Sequence, residues 1–238
     1  MAPVLDLSQL KPYRATIEVR YDNAYLLWDR AGQIWAKLNE RWPKLAMVDA
    51  NPGMTKFVLD DRFQMVVQLD KCYVIDNRAS STLADFMETG EILVNCVTTN
   101  LELSKFTRLG FRLTYIKDFA DKTSAAEFLI GTKMMAIPEG KHFNIEGKVL
   151  MPRYSLVWEG ESTGIRSILE VQSQKIDLEP QIEVIDEIPP FHVEKHRFIY
   201  DVDYYTLQPT SRGQLNVKEW ISQAYHLIKR DSKVFFGG

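Results

Sequence analysis

Asp201 and Asp203 are the residues best placed by type and spacing to do chemistry. They stand two apart in the run His196-Arg197-Phe198-Ile199-Tyr200-Asp201-Val202-Asp203-Tyr204-Tyr205. That run reads as a strand, so both carboxylates project from one face, together with Arg197 and Tyr205. Arg108 and Arg112 lie on the polar side of a second alternating run, and Arg166 and Glu170 share a phase on a third. Asp201, Asp203 and Glu170 with Arg112 could serve a metal-dependent hydrolase or nuclease-like reaction, provided they converge on a divalent ion. Arg108, Arg112 and Arg166 beside aromatic rings could instead hold nucleic-acid phosphates, with salt-dependent binding. The plainest use of the same groups is a ladder of cross-strand ion pairs, each worth roughly 0.2–1 kcal/mol. This polar sheet face is the first candidate binding surface.

Two further groupings carry possible chemistry. His192, Glu194 and His196 alternate along an extended stretch and would project to one side, as a divalent-metal site needs. Pro189-Pro190 sets them just beyond an acidic segment, where ordinary solvated side chains are the expectation and a metal site the lesser alternative. The chain ends in Gly237-Gly238, and a free Gly-Gly end is similar to that of ubiquitin-like covalent modifiers, with Gly238 as the linkage point. Against this, no β-grasp order of strands precedes it, and Phe235-Phe236 suits a packed anchor. Other signatures are missing. There is no Gly-x-Gly-x-x-Gly, and Gly140-Lys141-His142 lacks the glycine spacing and hydroxyl of a phosphate-binding loop. Gly160-Glu161-Ser162-Thr163-Gly164 falls between two strands rather than at a strand-to-helix elbow, so it reads as a hairpin loop. Nothing in the sequence calls for a cofactor.

The elements that position these groups can be read from hydrophobic period. Thr107 to Tyr115 alternates strictly, with Leu109, Phe111, Leu113 and Tyr115 on one face and Arg108, Gly110, Arg112 and Thr114 on the other. Before it come an extended arm over 1–12, a strand through Ala15, Ile17, Val19 and Tyr21, and a helix capped by Asp22 or Asn23. The stripe of that helix is Ala24, Leu27, Trp28, Ala31, Trp35, Leu38 and Trp42. Three short strands follow, around Lys56–Leu59, Phe63–Leu69 and Cys72–Ile75, with turns at Asp60-Asp61 and Asp70-Lys71. A long helix then starts at Ser80 or Ser81 and presents Phe86, Gly90, Val94 and Val97. Residues 121–147, with a short helix over Ser124–Thr132, read as a connector. Strands Tyr154–Glu159, Ile165–Gln174 and His196–Leu207 surround an acidic, proline-bearing excursion over Asp177–Pro190. A last helix begins at Asn216, with Glu219 three residues on. The expected class is α+β: an antiparallel-rich sheet with helices on one face. Its two loosely similar halves, 1–120 and 148–238, share one continuous sheet, as two units or as one continuous domain.

Composition bounds the function. In 238 residues, 45% are apolar and 26% charged, with a net charge of −3. These are values of an ordinary globular protein and argue against a strongly basic nucleic-acid binder. No apolar run approaches the ~20 residues that span a bilayer, and no signal peptide is visible, so no membrane role and a cytoplasmic location are expected. Cys72 and Cys96 have no motif spacing and read as buried thiols in a reducing compartment.

Three segments together resemble a sporadically distributed family of bacterial proteins of uncharacterised activity and about this length. They are Ile17-Glu18-Val19-Arg20-Tyr21, the central Arg108-Leu109-Gly110-Phe111-Arg112-Leu113-Thr114-Tyr115, and the end segment from Asp201 through Trp220–Ile228 to Phe235-Phe236. The family's central element is similar, reading Arg, apolar, Gly, apolar, Arg, Tyr. The resemblance implies a bacterial, soluble α+β protein and supplies no catalytic residues. With no reaction machinery in sight, the leading expectation is a non-enzymatic protein-interaction or sensing module of a multi-component system. Its partner is another protein or a second copy. Its surface would carry aromatics, including Tyr204, Tyr205, Phe235 and Phe236.

Overall fold

The computed structural model describes residues 6–79, 82–134, 147–178 and 191–236, with backbone alone at 176–178 and 191–193. The chain begins with β1 (Lys11–Arg20), α1 (Leu27–Arg41), β2 (Ala46–Asn51), β3 (Met54–Leu59), β4 (Phe63–Gln68) and β5 (Lys71–Asp76). It continues through α2 (Leu83–Asn100), β6 (Lys105–Phe106), β7 (Arg108–Phe119) and α3 (Lys122–Gly131). The rest is β8 (Arg153–Glu159), β9 (Thr163–Leu178), β10 (Phe191–Thr206), β11 (Thr210–Ser211) and α4 (Val217–Phe235). Among the described residues, nine strands form one sheet in the order β2-β3-β4-β5-β1-β7-β10-β9-β8, and β6 pairs with β11 apart from it. Every pairing is antiparallel. The fold is α+β, as the pattern of elements requires.

Period-2 alternation gives the central strands one apolar face, and that face is where the helices pack. Ile17 and Val19 of β1, Val74 of β5, Phe111 and Leu113 of β7, and Phe198 and Val202 of β10 are all buried. Phe86 of α2 meets the Phe111 ring at 5.9 Å, and Phe128 of α3 meets Phe198 at 5.1 Å. The Tyr200 hydroxyl lies 2.8 Å from Ser232 Oγ of α4. α3 therefore belongs to the same helical layer as α2 and α4. Asn216 caps α4 as its spacing predicts, accepting from the Glu219 amide at 3.1 Å.

Several boundaries differ from the sequence reading. β1 starts at Lys11, so the arm's last two residues already pair with β7. α1 starts at Leu27, not after Asp22 or Asn23, because the Tyr21 and Ala24 amides still donate to Asp70 and Leu69 carbonyls in the β4–β5 turn. That delay rotates the stripe: Leu27, Ile34 and Leu38 are buried, whereas Trp28 is 59% exposed. β2, exposed along its length, has no alternation to announce it. β9 and β10 are longer than expected, leaving 179–190 of the acidic excursion outside the described residues. Thr82 stands at the N-cap of α2, and Ser80 and Ser81 lie outside the described residues. No described helix is long and apolar enough to cross a membrane.

Cys72 and Cys96 are both free thiols, the first buried and the second half-buried. Burial pushes the Cys72 thiol far above its ordinary range and raises Cys96 as well. A thiol whose pKa is raised by folding supports the fold below its free-chain value, about 8.5, and withdraws that support as pH rises beyond it. Iodoacetamide at pH 8 is therefore expected to leave Cys72 unmodified in the native protein and to label it fully in urea, as mass spectrometry would read. Stoichiometric native labelling of Cys72 would contradict its burial on β5, opposite Val19 of β1.

Candidate functional site

The face of the sheet opposite the helices is a polar trough of about 540 Å³ floored by β5, β1, β7, β10 and β9. Antiparallel register builds it in rows, since residues directly opposite one another share a face. One row runs Ile75, Thr16, Arg112, Asp203, Arg166, Val157, and the next runs Arg14, Thr114, Asp201, Ile168, Ser155. The sequence-derived residues Arg108, Arg112, Arg166, Glu170, Asp201, Asp203 and Tyr205 all lie on this face.

They are drawn into two groups. Arg112 grips Asp201 with both prongs of its guanidinium, Nε meeting Oδ1 at 2.6 Å and Nη2 meeting Oδ2, while Thr114 donates to Oδ1 at 3.3 Å. The Asp201 hydrogen bonds raise the Arg112 pKa and outweigh the burial that opposes them. In the second group Asp203 accepts from Arg108 at 2.8 Å and Arg166 at 3.4 Å, and Arg108 also meets Glu18 at 3.0 Å. Arg108 lies 4.4 Å from the centre of the Tyr205 ring, a cation–π arrangement. A glycine stands on either side of Tyr205, and the one on β9 makes room for its ring. Tyr205 pairs with Gly110 on β7 and Gly164 on β9. A Cβ at Gly164 would stand 2.6 Å from the ring and could not be accommodated, whereas one at Gly110 would only touch Asp203 and the Arg108 guanidinium at ordinary contact distances of 3.4 and 3.5 Å. Tyr205 then donates to Glu159 at 2.9 Å.

Glu170 joins neither group, accepting instead from Gln172 at 2.6 Å and pairing with Arg153 at 3.4 Å. Asp201 and Asp203 are 5% and 6% exposed, and arginines hold both. The convergence that metal-dependent chemistry needs is therefore not formed among these carboxylates. No described group of three His, Cys, Asp or Glu residues could hold an ion. His196 is buried on the helix face, 2.9 Å from Ser173 Oγ, and Glu194 pairs with Lys122 at 3.1 Å. The His192 side chain and Gly238 lie outside the described residues.

The surface aromatics differ from the expected set. Tyr204 stacks on Trp220 at 5.4 Å, Phe236 is 6% exposed against Tyr200, and Phe235 meets Trp158 and Phe236. The last turn of α4 and the residue after it pack down on β8 and β10, so these rings are spent within the molecule. Among the described residues the open rings are Tyr13, Tyr25, Trp28 and Trp158. Sequence reasoning missed Tyr13, Arg14 and Glu18 as site residues. A register shift between Pro12 and Arg14 sets both Tyr13 and Arg14 along the trough. No local spacing announces such a bulge.

The charge of the trough is opposite to that of the whole chain. Arg14, Lys71, Arg112, Lys195 and Arg197 line it against Glu18, Glu170 and Asp201, in a protein of net charge −3. Lys71 shares Glu18 and Arg197 meets Asp118 at 2.7 Å, while Arg14 and Lys195 meet no carboxylate among the described residues. Arg14 and Arg197 both stand 5.5 Å from the Tyr13 ring. A search against protein-family models gives no match to the chain, and none is found among curated proteins.

Proposed function

We propose that this protein is a non-catalytic binding module of a bacterial multi-component system, and that its trough takes an acidic, extended segment of a partner protein. The observation that carries this reading is the cationic excess among the described residues of the trough, where Arg14 and Lys195 meet no described carboxylate and Tyr13 is exposed. Paired charges already satisfy one another, and unpaired ones retain their attraction for an incoming anion. A segment bearing Asp and Glu between apolar residues would match the cations and the isoleucine floor of Ile75, Ile116 and Ile199. A nucleic-acid strand fits less well, because Glu18, Glu170 and Asp201 interrupt the trough and would face phosphates.

Fluorescence anisotropy with a labelled Glu/Ile/Tyr peptide and a labelled single-stranded oligonucleotide tests the reading. The peptide is expected to bind with an affinity that falls as salt is raised. Arg14→Glu with Lys195→Glu should weaken it at least tenfold, about 1.4 kcal/mol. Binding of the oligonucleotide alone would replace this reading with the nucleic-acid one. Binding of neither would leave the trough a purely structural ion-pair surface.

A further inference from the structure

The two ends of the sheet are built differently. A strand edge presents unpaired amides and carbonyls, and proteins blunt it with bulges, charges or proline. At one end β2 is blunted in this way: its register shifts between Met47 and Asp49, and Asp49 and Asn51 sit within it. At the other end β8 keeps an unbroken register from Arg153 to Glu159, with Val157 55% and Trp158 44% exposed. No described strand pairs with its outer side.

The hydrogen-bond phase of β8 is fixed at both ends. Gly160 N donates to Thr163 O at 2.9 Å, and Val171 N donates to Pro152 O at 3.1 Å. In an antiparallel ladder the bonded pairs alternate. The even-numbered residues Tyr154, Leu156 and Trp158 therefore bond inward to β9, and Arg153, Ser155, Val157 and Glu159 turn their backbone groups to the free edge.

From this we infer that β8 pairs with β8 of a second copy, antiparallel, about a two-fold axis through Leu156. Of the registers that engage the outward amides, only this one lays all seven residues against one another. It sets Arg153 opposite Glu159, Tyr154 opposite Trp158, Ser155 opposite Val157, and Leu156 opposite itself. The strand is thus complementary to its own reverse: opposite charges at the ends, aromatic rings inside them, and an apolar centre. Arg153 and Glu159 face the trough side, beside Glu170 and Tyr205, so the ion-pair ladder continues across the junction. The inference is independent of what the trough binds.

Analytical ultracentrifugation of the full chain tests it. The expected species at micromolar concentration has about twice the 27.6 kDa of one chain. A monomer throughout the accessible range would overturn the inference. Ser155→Pro removes one outward amide and no bond to β9, a substitution that edge strands accommodate. It should shift the monomer–dimer midpoint at least tenfold with an unchanged circular dichroism spectrum, and a persisting dimer would overturn the inference. Arg153→Glu and Glu159→Arg give a second reading that does not depend on proline. Each alone sets like charges opposite in the homodimer, whereas the two mixed restore both pairs. Mixing is expected to recover dimer that neither variant forms alone at the same concentration; no recovery on mixing would count against the pairing.

Discussion

Replacing Arg112 with methionine is expected to lower the unfolding free energy by about 3 kcal/mol, while the double variant Arg112→Met/Asp201→Leu recovers most of that loss. Asp201 is 5% exposed, and Arg112 supplies two of its three hydrogen bonds. Without Arg112 only Thr114 remains to a carboxylate that water scarcely reaches. Orphaning a buried charge costs about 3–5 kcal/mol, whereas removing both partners of a pair is often neutral. The lower end of that range applies because the arginine side chain is 46% exposed and partly screened. The sign with pH follows from the raised Arg112 pKa. Its contribution is complete below the unfolded-state value and is lost only as pH climbs through strongly alkaline values, so it stays constant from pH 7 to 9. Urea unfolding of the three proteins measures the cycle. A cost below about 1 kcal/mol for Arg112→Met would make the pair an ordinary solvated rung, with Asp201 free for other chemistry.

The contents of the polar face were legible in the sequence, and the partnerships within it were not. Alternation in β7 and β10 places Arg112 and Asp203 on the same face of their strands without any knowledge of the fold. Which carboxylate each arginine takes depends on register between strands some 90 residues apart, and Arg112 reaches diagonally to Asp201 although Asp203 lies directly opposite. Tyr13 reaches the trough through a bulge, which breaks the period that reading relies on. His196 has the expected phase with Glu194, but that phase is the helix side, where Ser173 and Lys122 answer them. The same limit governs α1. Spacing alone admits Trp28 to the stripe, and a backbone bond from Ala24 to Leu69 decides otherwise. α4 has no such distant constraint at its start, and its cap falls at Asn216, where the spacing to Glu219 sets it.

Arg62 had no signal of any kind, and its replacement by methionine is expected to cost about 3–5 kcal/mol. It follows Asp60 and Asp61, whose φ of 50° and 54° form the left-handed turn between β3 and β4. From there the guanidinium reaches Asp76 at the end of β5 at 3.1 Å and Asp85 in the first turn of α2 at 2.9 Å, while lying 4.4 Å from the Phe63 ring. Asp76 is 2% exposed, and its remaining described contact is the Arg78 amide at 2.8 Å. Losing Arg62 thus strands a carboxylate in the core and unties a turn, a strand end and a helix start at once. For a chain of this size the melting temperature should fall by about 10 °C. Asp85→Asn should cost far less, since that carboxylate is open to water. Arg62→Lys separates charge from shape: a lysine offers one point charge in place of the fork that spans both aspartates, and is expected to recover less than half of the loss. Full recovery with lysine would mean that neutralising Asp76 suffices and that the three elements are held by other contacts.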